Sequence, residues 1–165
     1  MKKVTQQTMF SSKSTEWETP QAFYERLNKE YDFSLDPCCT KETAKCENYF
    51  TEEDDGLSRN WAGHRVFMNP PYGRAIKKWI EKAYEEGKKP NTTVVCLIPA
   101  RTDTKYWHKY CMKACEIYFV KGRLKFGNSK NAAPFPSAVV VFRGPTIPGL
   151  AKPALRVSAM ENKYE

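Results

Sequence analysis

The sequence lacks the long apolar runs and repeats that mark several large classes of protein. No stretch of its 165 residues approaches the ~20 consecutive apolar residues of a membrane-spanning helix. No secretion signal is apparent near the start, and no segment repeats along the chain. We therefore expect no membrane partner and one main domain, because a chain of this length buries about two-thirds of its surface when it folds.

The six cysteines are too few for a disulfide-built scaffold in a chain of which 41% is hydrophobic. Such a chain can form an ordinary core, so reduced thiols in a cytosolic protein are the better interpretation. Four residues, Cys38, Cys39, Cys46 and His64, could supply zinc ligands for a small nucleic-acid-binding module. That alternative stays open, but adjacent cysteines followed by a six-residue gap match zinc-ligand pairs poorly, and we expect no metal.

Positive charge is concentrated in one segment of the chain. The net charge is +8, yet residues 1–100 hold 15 basic and 15 acidic side chains and are neutral overall. Residues 101–130 hold eight basic and two acidic side chains, interleaved with aromatic residues such as Tyr106 and Phe126. Basic residues mixed with aromatics in one segment favour a nucleic-acid partner, although a solvated basic face beside core aromatics would give the same pattern.

Alternating β-branched runs and amphipathic segments predict an α/β fold with a mostly parallel sheet. We expect helices over residues 21–31, 74–86 and 103–114, and strands over residues 33–35, 66–68, 92–99, 117–120 and 138–142. The last two strands have no room for a helical crossover between them, so they are expected to form an antiparallel pair at one edge. The predicted organisation is a flexible segment over 1–14, a main domain over 15–142, and a Pro- and Gly-containing tail over 143–165.

The segment VFMNPPYGR, residues 66–74, ends a hydrophobic strand with an unusual turn. Two prolines fix the backbone and remove two N–H donors, so the strand stops abruptly. The residues that follow repeat apolar positions at helical spacing. The unit therefore predicts a strand, a rigid polar turn and a helix, and such a turn at a strand's carboxyl end is where open α/β sheets bind ligands.

This turn carries the groups needed to activate an aromatic amine. The lone pair of such an amine is delocalised into its ring, and two acceptors facing its two N–H bonds would direct that lone pair at an electrophile. Asn69 Oδ1 and the Pro70 carbonyl can be those acceptors, and both would stabilise the positive charge that develops on nitrogen. Tyr72 offers an aromatic face for a base drawn out of its stack.

The tetrapeptide Asn69–Pro70–Pro71–Tyr72 matches the amine-methylating motif of S-adenosylmethionine-dependent methyltransferases. The order of five segments is closer still to one family, and these are WETPQAFYERLNKEYDFSLDPC, DGLSRNW, MNPPYGRAIKKWI, LIPARTDTKYWH and GRLKF…APFPSAVVVF. From Thr15 to Phe142 the chain resembles the phage-type Dam-like DNA N6-adenine methyltransferases. The resemblance implies a Rossmann-like methyltransferase fold, S-adenosylmethionine as cofactor, adenine in DNA as substrate and the cytoplasm of a bacterial host as location.

The resemblance also implies roles for particular residues. It places the methionine half of the cofactor near Asp36, Pro37 and Cys38, with Asp36 suited to the cofactor's ammonium group. Further cofactor contacts are implied for Trp17, Thr19, Pro20 and Asp55. Residues proposed to contact the substrate are Arg101, Thr102, Lys121, Arg123 and Lys125.

The chain departs from the wider methyltransferase pattern in two places. The glycine-rich loop usual after the first strand is replaced by CCTKETAKC, and residues 38–65 are too few for two full strand–helix crossovers. We therefore expect a sheet trimmed relative to the seven-stranded form, with recognition by short loops and no evident obligate protein partner. Cytosine N4, an RNA base or a protein glutamine would suit the same motif chemistry, so these substrates remain alternatives.

Overall fold

The computed structural model describes residues 17–162, and the predicted flexible segment 1–14 lies outside them. The helices of the described part are α1 (Gln21–Tyr31), α2 (Ile76–Glu86) and α3 (Lys105–Lys109), with 3₁₀ turns at Gly56–Ser58 and Cys111–Lys113. The strands are β1 (Arg65–Met68), β2 (Thr93–Pro99), β3 (Glu116–Val120), β4 (Ser137–Arg143) and β5 (Arg156–Met160). None of these helices is long and apolar enough to cross a membrane.

The five strands form one sheet in the order β1-β2-β4-β3-β5. β1 pairs with β2 in parallel, β4 runs antiparallel to both β2 and β3, and β5 is parallel to β3. Four of the five strands therefore point the same way, as the sequence predicts. Beyond β1, single parallel bridges join Leu35 to Val66 and Asp36 to Tyr49 and continue the sheet by two further chain segments.

Three predicted elements differ in the structure. The antiparallel pair of β3 and β4 lies inside the sheet, because β5 from the tail pairs with the outer side of β3. The expected strand over 33–35 is reduced to the bridge at Leu35. The helix expected over 103–114 is divided, since Tyr110 leaves helical geometry with φ −121° and a 3₁₀ turn follows.

The core lies around the two central strands. All residues of β4 except Arg143 are buried, and so are all those of β2 except Thr93, as expected for strands covered on both faces. Helix α1 buries aromatic side chains against β1, with the ring of Tyr24 5.2 Å from that of Phe67. Helix α2 buries Trp79, whose ring stacks on Trp61 at 6.4 Å. This packing holds the carboxyl ends of β1 and β2 in fixed positions.

Candidate active site

The Asn-Pro-Pro-Tyr turn begins where β1 ends, one residue after Met68. Pro70, Pro71 and Tyr72 are all buried, and the turn leads through Gly73, which has φ +101°, into α2. That backbone conformation is accessible to glycine and strained for other residues. The strand–turn–helix unit predicted from the sequence is therefore present, at the carboxyl edge of the parallel strands.

The Asn69 side chain is held at its nitrogen end and left free at its oxygen end. Its Nδ2 donates hydrogen bonds to the Trp17 carbonyl at 2.7 Å and to Thr19 Oγ1 at 3.0 Å. Its Oδ1 is buried and has no hydrogen-bond partner in the described structure. A buried polar atom without a partner costs about 1–3 kcal/mol, so such atoms are rare and point to an unmet ligand contact.

The side chain of Tyr72 is nearly enclosed, with 7% of its surface exposed. Its hydroxyl donates to the Leu97 carbonyl over 3.4 Å, and burial raises the pKa of this phenol, which stays neutral. Its ring lies 6.0 Å from the ring of Trp17 and 5.5 Å from that of Phe135. Any group that stacks on the Tyr72 ring must therefore displace part of this aromatic cover.

A cleft of about 600 Å³ opens beside these rings. Its walls include Trp17, Tyr72, Pro99, Arg101 and Tyr106. The mixture of aromatic faces, one cationic side chain and a few polar atoms is that expected of a small-molecule or base-binding pocket. The cleft adjoins the Asn-Pro-Pro-Tyr turn, which makes it the candidate position for the target group.

Asp36 lies at the sheet's carboxyl edge, next to the β1 end, and is 4% exposed. Its carboxylate accepts hydrogen bonds from the backbone N–H groups of Cys38 and Lys45. Burial raises the pKa of Asp36 to about 6, while these hydrogen bonds oppose the rise. Both oxygens keep a free lone pair, so the group can still face a cation.

The residues after Asp36 pack tightly on neighbouring segments. The Cys38 thiol donates to the Asn69 carbonyl over 3.4 Å, and burial raises the pKa of this thiol well above its usual range. Pro37 lies against Gly56, where an added Cβ would stand 2.1 Å from the Pro37 carbonyl oxygen. Asp55, just before Gly56, is exposed and has φ +53°.

The segment before α1, residues 17–20, contacts the Asn-Pro-Pro-Tyr turn. Trp17 and Thr19 bind Asn69 directly, whereas Pro20 precedes α1 and its carbonyl accepts from Tyr24 N–H. The structure therefore brings Trp17 and Thr19 to the Asn-Pro-Pro-Tyr turn. The cofactor roles suggested for these residues stay predictions, since their observed contacts are with Asn69.

The predicted substrate-binding residues fall into two groups. Arg101 lines the cleft, and Thr102 beside it is exposed. Lys121, Arg123 and Lys125 lie on a loop between β3 and β4, and this loop reaches the site through the buried ring of Phe126, 5.6 Å from that of Trp17. Lys121 is paired with Glu161 at 2.7 Å, while Lys125 is exposed and has no ion-pair partner among residues 17–162.

The four potential zinc ligands do not come together. Cys39 Sγ donates to backbone carbonyls, Cys46 Sγ lies 3.6 Å from the Tyr24 hydroxyl, and His64 Nδ1 lies 3.0 Å from Ser34 Oγ. Within the described range, no group of three or more His, Cys, Asp or Glu side chains is placed to hold a metal. The alternative of a zinc module therefore has no support in the geometry.

Three aromatic residues of the site were not predicted as such. Phe126 and Phe135 enclose Tyr72, and Tyr106 lines the cleft. The sequence shows two of them within the basic segment, yet it gives no sign of which rings face the turn. Only the fold brings the loop between β3 and β4 across to Trp17.

Comparison with known proteins identifies related sequences. Residues 6–145 match the family model described as DNA N-6-adenine-methyltransferase (Dam). A protein of that name from Haemophilus phage HP1 is 28% identical over 118 residues, which are 69% of this chain and 67% of that protein. Another from Escherichia phage T1 is 29% identical over 110 residues, 66% of this chain and 45% of the phage T1 protein.

The fold also has a counterpart among solved structures. A crystal structure from Listeria monocytogenes, assigned to the class I S-adenosylmethionine-dependent methyltransferases, superimposes with a TM-score of 0.59. The match covers 94% of this chain and 71% of the other at 11% sequence identity, and it therefore shows a shared fold. Because the family model matches most of the chain, this protein belongs to the DNA N-6-adenine-methyltransferase (Dam) family.

Proposed function

We propose that this protein transfers a methyl group from S-adenosylmethionine to the N6 amine of adenine in DNA. Asn69 Oδ1 and the Pro70 carbonyl accept hydrogen bonds from the amine in this proposal. The observation that carries it is the Asn69 amide, fixed at Nδ2 by two hydrogen bonds and free at a buried Oδ1. Membership of the family supports the choice of base and of cofactor.

The fixed amide explains how the site favours methyl transfer. Since Nδ2 is already bonded to Trp17 and Thr19, the Oδ1 acceptor is oriented before the substrate binds. As the amine attacks, positive charge grows on nitrogen, and preorganised acceptors stabilise that charge without having to reorient. The nitrogen sheds one proton to solvent after the new bond forms, so no strong base is needed in the site.

The residues around Asp36 fit the proposed cofactor. S-adenosylmethionine supplies an electrophilic methyl carbon on a sulfonium, and it also carries an ammonium group. The Asp36 carboxylate lies at the sheet's carboxyl edge with free lone pairs, and the following Cys38 contacts the Asn69 backbone. Asp36 can therefore hold a cation at the same edge of the sheet as the two amine acceptors. The close approach of Pro37 to Gly56 fixes the path of the loop that follows Asp36.

Charge on the loop between β3 and β4 supports a DNA substrate. Arg123 and Lys125 are exposed on this loop, which is anchored at the site by Phe126. Their side chains can meet phosphates on either side of an extruded adenine while Arg101 contacts the cleft. Action on host DNA would place the protein in the bacterial cytoplasm.

The direct test is a methyl-transfer assay with purified protein, labelled S-adenosylmethionine and unmethylated DNA. Digestion to nucleosides should show the label in N6-methyldeoxyadenosine. Label in N4-methylcytosine would keep the amine chemistry and reject adenine as the base. Label on RNA or protein alone, with none on DNA, would reject the proposed substrate class.

A further inference from the structure

Three of the four buried side-chain polar atoms without partners in the described residues belong to residues that line the cleft or pair with a residue that lines it. Among residues 17–162, the side-chain atoms in this condition belong to Asn69, Tyr106, Ser137 and Tyr31. Tyr106 lines the cleft itself, and Ser137 pairs across the sheet with Pro99, which also lines it. Because proteins normally satisfy buried polar atoms, this clustering indicates contacts that a ligand completes.

The Tyr106 hydroxyl is well placed to be one of those contacts. Its polar neighbour Thr104 donates its own hydroxyl proton to the Arg101 carbonyl and accepts from Trp107 N–H, and by hydrogen-bond geometry the Tyr106 hydroxyl has no partner among residues 17–162. Tyr106 and Tyr72 line the same cleft. Thus a donor without a protein partner lies beside the ring on which the base is expected to stack.

We propose that the Tyr106 hydroxyl donates a hydrogen bond to a ring nitrogen that flanks the target amine, N1 or N7 of adenine. Tyr106 would then be a specificity-determining residue. This inference rests on the proposed function, in which Asn69 Oδ1 and the Pro70 carbonyl take the two amine hydrogens. The remaining polar atoms next to the amine are N1 and N7, and both are acceptors.

Both unpartnered atoms are sealed from solvent. A base therefore reaches Asn69 Oδ1 and the Tyr106 oxygen only when neighbouring side chains move aside. Each atom gains a hydrogen-bond partner in that event, which offsets part of the free energy of opening. A base without a suitable acceptor would leave the Tyr106 donor unpaired and would bind less well.

The experiment combines a protein change with single-atom changes in the substrate. Wild type, Tyr106→Phe and the control Tyr110→Phe are assayed on duplexes carrying adenine, 1-deazaadenine or 7-deazaadenine at the methylated position, which is first located with wild type. Tyr110 is a matched control because it is buried nearby and packs on Tyr84. Loss of one neutral hydrogen bond should lower kcat/KM on adenine about three- to tenfold in Tyr106→Phe alone.

One of the two analogues should lower the wild-type rate by a similar factor and cause no further loss in Tyr106→Phe, which identifies N1 or N7 as the acceptor. Two outcomes would overturn the inference while leaving the proposed function intact. One is that the loss from Tyr106→Phe and the loss from the analogue multiply for both analogues, and the other is that Tyr106→Phe methylates adenine at the wild-type rate. A melting temperature lowered by Tyr106→Phe would show the hydroxyl bonded within the protein and would also overturn it. Absence of adenine methylation by wild type would overturn the proposed function and this inference together.

Discussion

Asn69 Nδ2 donates to the Trp17 carbonyl over 2.7 Å, and this bond ties the end of β1 to the segment before α1. It gives a reason for an amide at this position. An aspartate would place an oxygen, with its negative charge, where Asn69 presents a donor, directly against the carbonyl oxygen of Trp17. The neutral side chain can therefore hold its position with one end while it accepts from a substrate with the other.

Thr19→Val should slow methyl transfer without unfolding the protein. The change keeps the shape of the side chain and removes the oxygen that accepts from Asn69 Nδ2. With one of two anchors lost, the amide is less well oriented, and kcat should fall about three- to tenfold. The matched control is Thr92→Val, which removes another buried threonine hydroxyl, one that accepts from Gly63 N–H. Equal losses of kcat in the two variants would show that orientation of Asn69 is not the cause.

Cofactor affinity should increase as pH rises through about 6. Burial raises the pKa of Asp36 to about 6 from its ordinary value of 3.8, and only the ionised carboxylate attracts an ammonium group. The stability of the folded protein should change with pH in the opposite direction. The raised pKa of Asp36 stabilises the folded state fully below pH ~4, and this stabilisation is lost as pH rises through the folded pKa. Calorimetric titration of the cofactor and thermal unfolding of the protein, both between about pH 4 and about pH 8, measure the two trends.

Asp36→Asn serves as the matched variant for that experiment, because it preserves size and removes the ionisable group. Its cofactor affinity should be weak and nearly independent of pH. A wild-type affinity with the wild-type pH dependence would remove Asp36 from the cofactor site.

Lys125→Ala should weaken DNA binding and reduce its dependence on salt. Lys125 is exposed without an ion-pair partner in the described residues, so a phosphate contact there would release a counterion on binding. The slope of log K against log salt should decrease by about 0.9 for one lost contact. Lys88→Ala, which removes a cation already paired with Glu85 at the end of α2, is the control. A slope unchanged from wild type would make Lys125 part of a solvated surface.

Gly56→Ala should destabilise the protein and weaken cofactor binding together. An added Cβ would lie 2.1 Å from the Pro37 carbonyl oxygen, so the two loops must separate. Overpacking of this kind costs about 1–3 kcal/mol. Thermal unfolding with and without S-adenosylmethionine measures both effects. The comparison is Gly144→Ala, where an added Cβ would stand 1.7 Å from the Lys89 carbonyl oxygen, so it should lower stability without a specific loss of cofactor affinity. Normal stability and affinity in Gly56→Ala would contradict the tight contact.

The elements that were predicted correctly are those that a short stretch of sequence determines. The strand, turn and helix over residues 66–86 are present as predicted. Two adjacent prolines end the strand, and apolar residues at helical spacing indicate the helix, so both signals lie within a short stretch of sequence. β5 was not predicted, since four of its five residues are exposed and carry no alternating apolar signal. It forms because β3 offers a free edge, and that is a property of the assembled sheet.

The candidate site was likewise predicted only in part. The sequence predicted roles for Asn69 and Tyr72 from the motif, and the structure places Tyr72 in the wall of a cleft. It gave no indication that Trp17 would anchor the Asn69 amide or that Phe135 would cover Tyr72, because both contacts join segments more than 50 residues apart. The substrate contact expected of Lys121 stays a prediction, and this exposed side chain forms an ion pair with Glu161.

In the proposed mechanism, Asn69 accepts a hydrogen bond from the amine that becomes methylated. The most direct test of this role is single-turnover methyl transfer to DNA by Asn69→Ala, with cofactor affinity measured on the same preparation and Asn60→Ala, on an exposed loop, as control. We expect Asn69→Ala to lower the rate of N6-methyladenine formation about 10²- to 10³-fold and to leave cofactor affinity close to wild type, while the control reacts at the normal rate. A wild-type rate in a correctly folded Asn69→Ala would contradict the proposed mechanism.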